Sequence, residues 1–292
     1  MRFPLFHTLL KTLYALGIVF VAAVLLTGVP YYSMPLSERP HSDMHVVLKP
    51  AGSWGHGLGV VGTVMLLLLL LYSARKRGVL GMRFGRLNRW LDVHIFFGIM
   101  GPLLVTLHTA MKFHGIVSVS YFSMVGVALS GVFGRYIYKQ IPRDARGHEL
   151  GLEKARERLT EIERTLIGTH GVSAETASVI REFAAVSSRL GSSKIRGLVT
   201  ALSQDFTMDR RTHRLRRALS SGHSPSPTGV IDEVVALARE SSVLQRRIAL
   251  LDSMSELFHY WHVFHKPFAY VMLIIMVVHV AVTVAFGYRW IF

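Results

Sequence analysis

Met65 is followed by six consecutive leucines inside an apolar run from 56 to 74. A helix of that composition needs an apolar solvent, and its length matches the roughly 20 residues that cross a hydrocarbon core with every backbone polar group bonded inside the segment. Four further runs, 11–29, 91–111, 117–138 and 267–287, meet the same requirement. With 51% of its 292 residues hydrophobic and only 17% charged, the chain fits neither an ordinary soluble enzyme nor a disordered one. The expected fold class is all-α, a polytopic membrane helical bundle with five transmembrane helices. The first run is long for a signal peptide and ends in Gly28-Val29-Pro30-Tyr31-Tyr32 without a small-residue cleavage pattern, so it is expected to remain as an anchor.

Positive charge sets the expected orientation, because short cytoplasmic loops hold lysine and arginine. Arg75, Lys76, Arg77, Arg83, Arg86 and Arg89 follow the second run with no acid among them. That loop is therefore expected inside, together with the N-terminus, while 30–55 and Lys112–Ser118 face outside and the C-terminus emerges there. The expected location is the cytoplasmic membrane of a bacterium.

Between the fourth and fifth spans lies a polar insertion, which divides the chain into 1–139, 140–257 and 258–292. Leu152, Ala155, Leu159, Ile162 and Leu166 recur at helical spacing, as do Val230, Val234, Leu237, Ser241, Leu244, Ile248 and Leu251. The segments 174–190 and 193–219 are weaker helical candidates, and Ser221-Gly222-His223-Ser224-Pro225-Ser226-Pro227 is a break. A cytoplasmic helical insertion results, its last helix running on toward the fifth span. Most of the formal charge of +15 belongs to the membrane part and its flanks, so no nucleic-acid partner is expected.

With no cysteine, the chain excludes disulfides, iron–sulfur ligation and covalent haem attachment, and fifteen histidines remain for metal chemistry. Imidazole is costly in hydrocarbon unless it is bonded, so a histidine within a span points to function. His94 and His108 lie on the third span and His265 and His279 on the fifth, each pair fourteen positions apart. At about 3.6 residues per turn this is close to four turns, which puts both members on one face about 21 Å apart. Both spans run from inside to outside in the expected topology, so His94 faces His265 and His108 faces His279. Two bis-imidazole sites result, and a low-spin haem b takes two axial nitrogens and needs no cysteine.

Gly98, Gly101 and Val105 continue the face between His94 and His108, where missing side chains admit a large ring; Ala269, Met272 and Met276 form the corresponding stripe on the fifth span. Haem propionates need cations at the membrane edges. Arg89, Arg135 and Lys266 are placed for an inner haem, Lys112 and His114 for an outer one. His262 stands about 100° from the face shared by His265 and His279 and is the weaker ligand. His56 and His114 are candidates to cap a propionate or to line a quinone pocket. Ser123, Gly126, Ser130 and Gly134 make a small-residue stripe on the fourth span, read first as helix packing.

The two H-x13-H helices, His94 and His108 within Leu91–Met111 and His265 and His279 within Trp261–Val282, resemble the haem-binding transmembrane domain shared by ferric reductases and NADPH oxidases. The resemblance covers the membrane half. It implies haems held by paired histidines and stacked across the bilayer; the flavin and nicotinamide domains of those enzymes are not expected here, nor the sixth span. The expectation is a di-haem b cytochrome subunit carrying electrons across the membrane. Its inner haem would be held by His94 and His265 and its outer one by His108 and His279, the iron supplying the redox change. Membrane lipid surrounds it. The expected redox partners are a flavoprotein or iron–sulfur protein docking on the helical insertion inside, and a multihaem cytochrome or quinone-linked subunit outside. A quinol- or quinone-linked cytochrome with a bound quinone is the related alternative; a histidine-lined metal-ion permease and a membrane scaffold are the alternatives from other classes.

Overall fold

The structure is a computed structural model that describes residues 4–81, 84–140, 152–168, 183, 194–220 and 228–287. Among these, every regular element is helical: α1 (Pro4–Tyr32), α2 (His45–Leu48), α3 (Ser53–Arg77), α4 (Leu87–His108), α5 (Ile116–Gln140), α6 (Leu152–Gly168), α7 (Lys194–Ser220) and α8 (Thr228–Ala285). Five segments are long and apolar enough to cross a membrane: Leu5–Tyr32, His45–Arg77, Leu87–His108, Ile116–Lys139 and Met254–Ala285. These are the five spans expected from hydropathy; most ends run further than the apolar runs, but the third helix stops at His108, short of 111, where Ala110 and Met111 turn to positive φ, and the fifth stops at Ala285, short of 287. The stripes at 152–166 and 230–251 lie on α6 and α8, and the candidate at 193–219 is α7. The candidate at 174–190, apart from residue 183, and the break at 221–227 lie outside the described residues. The chain forms two compact units, Met1–Phe133 with Trp261–Phe292, and Gly134–Tyr260.

In the first unit, α3 and α4 form an antiparallel pair. Their backbones meet at glycines: a Cβ on Gly62 would lie 3.2 Å from the Gly101 carbonyl oxygen, and one on Gly101 would lie 3.4 Å from that of Gly62. α3 ends at Gly78, whose φ of 68° is the left-handed conformation that glycine adopts without a Cβ penalty, and the Gly78 amide donates to the Ala74 and Arg75 carbonyls. Arg75 then reaches across the turn, its Nε donating to the Phe84 carbonyl at 2.9 Å and its Nη2 to that of Gly85 at 3.1 Å. α1 lies along α4, where the Tyr14 and Phe96 rings meet edge to face and Gly17 admits Met100.

Arg39 locks the far end of this unit. It stands in the 3-10 turn that follows α1 and is 4% exposed. Its guanidinium donates to the carbonyls of Ala110 at 2.5 Å, Tyr32 at 2.6 Å and Met34 at 3.0 Å, joining the end of α1 to the end of α4. Ala110 and Met111 there hold φ values of 47° and 59°, uncommon for residues with a side chain, so the α4 terminus depends on outside support. Arg39→Met leaves these carbonyls without their charged donor and is expected to destabilise the membrane unit by about 3 kcal/mol. Circular dichroism on heating in detergent should show a lowered midpoint with unchanged helix content at low temperature.

In the second unit, Ile162 of α6, Leu215 of α7, and Val234, Ala238 and Leu244 of α8 make one core. The apolar stripes of α6 and α8 therefore pack against each other and against α7. Arg246, 2% exposed, pairs with Asp205 at 2.5 Å. Arg158 with Glu240, Arg239 with Asp209 and Arg216 with Asp232 close the rim.

Candidate metal centres

α4 carries His94 and His108, and α3 decides how their rings stand. The His94 Nδ1 lies 3.2 Å from the Leu69 carbonyl oxygen, and the His108 Nδ1 lies 2.8 Å from that of Gly55. Leu69 and Gly55 are themselves fourteen positions apart, so the antiparallel register is kept over the whole interval between the two histidines. A carbonyl only accepts, so each Nδ1 carries the proton and each Nε2 keeps its lone pair. Metal-binding imidazoles are oriented in this way, the second ring nitrogen donating to a fixed acceptor. For His108 the approach requires Gly59, since a Cβ there would fall 2.5 Å from Nδ1.

His265 on α8 is fixed from α5. Its Nδ1 lies 2.7 Å from the Ser130 hydroxyl, which itself donates to the Val127 carbonyl at 2.9 Å. With the serine proton on the Val127 carbonyl, the Ser130 oxygen accepts from Nδ1 and Nε2 is the basic nitrogen; the opposite tautomer reverses that bond. Trp261 packs its ring 4.6 Å from that of His265 and donates from Nε1 to the Ser130 carbonyl at 2.6 Å. Pro267 stays within the unbroken α8.

His108 and His279 line a common cavity of about 410 Å³ with His56, Gly59, Thr63 and Thr283. Between the two histidine levels, Leu66, Met124, Met272 and Met276 are buried against one another. The structure thus sets His108 and His279 on one cavity, carries His94 and His265 on α4 and α8 of the same unit, and lines the interval with leucine and methionine.

Gly101 is used for the α3–α4 approach, and a Cβ on Gly98 would meet only Leu69, at 3.8 Å. Arg89 sits 5.4 Å from the centroid of Phe6 and Arg135 5.8 Å from that of Tyr138, Arg135 belonging to the second unit. Lys112, His114 and Lys266 are exposed. His262 lies against Trp261, with ring centroids 4.6 Å apart. On α5, Ser123 is buried and Ser130 holds His265, whereas Gly126 faces open space and Gly134 belongs to the second unit.

Sequence reasoning missed Gly55, Gly59 and Leu69 as supports of the histidines. The spacing Gly55, Gly59, Gly62 on α3 carried the signal, since small residues one turn apart mark close helix approach in membranes.

Among the described residues no group of three or more His, Asp or Glu side chains could hold a bare metal ion. Two imidazoles per level suit a metal that brings its other donors with it, and haem iron, held by four pyrrole nitrogens, is such a metal. The residues fit that group through their donor set: imidazoles on α4 and α8, those of His94 and His108 with Nδ1 held by a carbonyl and Nε2 available. Comparison of the chain with protein-family models, with curated proteins and with solved structures finds no match.

Proposed function

We propose that this chain is a di-haem b membrane cytochrome subunit that carries electrons across the bilayer between a cytoplasmic redox partner and an outer one. The observation that carries the reading is the hold on Nδ1: three of the four intramembrane imidazoles have it bonded to a neighbouring helix, His94 and His108 to carbonyls that only accept, which frees their Nε2 for a metal, and His265 to the Ser130 hydroxyl. His94 and His265 would hold the inner haem, His108 and His279 the outer. When bound, the haem supplies a one-electron ferric/ferrous couple. The chain's own residues do the rest. Leu69, Gly55 and Ser130 keep the ring planes from turning, and the leucines and methionines between the levels exclude water.

The test is a reduced-minus-oxidised spectrum of the purified full chain with pyridine-haem quantitation. Two b-type haems per chain are expected. One haem would leave half of the reading standing, and a colourless preparation from haem-replete cells would end it.

A further inference from the structure

A second, larger cavity of about 850 Å³ lies between α1, α3 and α4. It is elongated: its lining on α3 runs from Trp54 to Met65, about 16 Å at the rise of an α-helix. Its two ends differ in chemistry. At one end stand Ser53, Trp54 and His56, with the Phe20 ring stacked on Trp54 at 6.1 Å and 21° between planes. At the other end stand Leu13, Met65 and Met100. His56 is half-buried, and no hydrogen bond joins its ring to a protein group among the described residues. It also borders the smaller cavity that contains His108 and His279.

We propose that this cavity binds a membrane quinone, with its ring at the His56 end and its isoprenoid tail along α1 toward Met65. A quinone is flat, carries oxygens that accept or donate hydrogen bonds, and trails an apolar chain. The cavity supplies aromatic faces, an imidazole and a serine hydroxyl at one end only, then an apolar slot. A phospholipid tail would match the slot and make no use of the polar end. The shared border at His56 sets the quinone ring beside the His108/His279 level. The choice of a quinone over other flat apolar molecules rests on the electron-transfer reading.

The experiment uses the full chain in phospholipid nanodiscs, irradiated with a ring-azido derivative of decylubiquinone, with the labelled peptides mapped by mass spectrometry. Label is expected within 51–61, abolished by excess decylubiquinone and unaffected by excess phospholipid. Gly57 lines the cavity, and a Cβ there meets nothing within 4 Å, so Gly57→Phe fills the slot from a position that tolerates a side chain. It should reduce labelling by roughly tenfold or more. Should Gly57→Phe fail to fold by circular dichroism, His56→Gln decides, with an expected several-fold loss of labelling. Label spread over lipid-facing helices, equal competition by phospholipid, or labelling undiminished in the folded variant would each overturn the proposal. Haem content is read on the same samples. A labelled chain without haem removes the electron-transfer reading alone, and a haem-loaded chain without label removes the quinone site alone.

Discussion

On the di-haem proposal, His108→Ala protein should purify with one haem b per chain where the unaltered chain is expected to hold two, and the four single substitutions should fall into two classes. His108→Ala and His279→Ala remove the same haem, identified by its absorption band and its midpoint in a redox titration; His94→Ala and His265→Ala remove the other. The reasoning is stoichiometric, because each level offers two imidazoles and a bis-axial site loses its character when either goes. Effects within a class are non-additive: the double variant His108→Ala, His279→Ala should match either single one, whereas His108→Ala with His94→Ala leaves no haem. His262→Ala tests the choice within α8. Its ring packs on Trp261, while His265 is held by Ser130, so it should keep both haems. Loss of a haem in His262→Ala with retention in His265→Ala would overturn the pairing, as would four substitutions that each remove a different fraction.

The spans were legible because hydropathy is a property of one helix at a time. Leu66 to Leu71 announce a membrane segment whatever lies beside them, and the structure extends α3 only at its polar ends. The separation of the two histidines along each helix was legible for the same reason, since fourteen residues of helix fix both face and rise. What fixes the rings was not. The acceptors at Leu69, Gly55 and Ser130 belong to neighbouring helices, and whether a carbonyl on α3 reaches an imidazole on α4 depends on the register between them, which no single-helix period contains. The neighbours of the cations were not legible, because positive flanks are common to every span. Arg89 and Arg135 stand against aromatic rings. The helical stripes of the insertion were legible as amphipathic faces, but their partners were one another, a fact of packing that periodicity leaves open.

Gly59→Ala adds a single methyl group and should cost the same haem as His108→Ala, although both imidazoles of that level remain. A Cβ at Gly59 would lie 2.5 Å from His108 Nδ1 and 2.8 Å from the adjoining Cε1 and Cγ, closer than carbon atoms approach. The ring cannot yield toward Gly55, whose carbonyl already holds it at 2.8 Å. Nor can α3 back away, because Gly62 and Gly101 fix the two backbones one turn further along. The imidazole must therefore leave its acceptor, and with the Nδ1–H bond gone both the tautomer and the aim of Nε2 are lost. Loss of such an orienting partner lowers metal affinity by roughly 10- to 100-fold, and displacement of the ring itself adds to that. A weakened fold does not account for the loss, since alanine in a helix interior is more favourable than glycine by about 1 kcal/mol. Gly126→Ala, on α5 with nothing within 4 Å of its Cβ, is the control and should keep both haems. Haem content, the redox titration and the thermal midpoint of both variants separate the outcomes. A Gly59→Ala protein that retains two haems with unchanged midpoints would mean that His108 does not stand against α3, and that the support assigned to Gly55 is wrong.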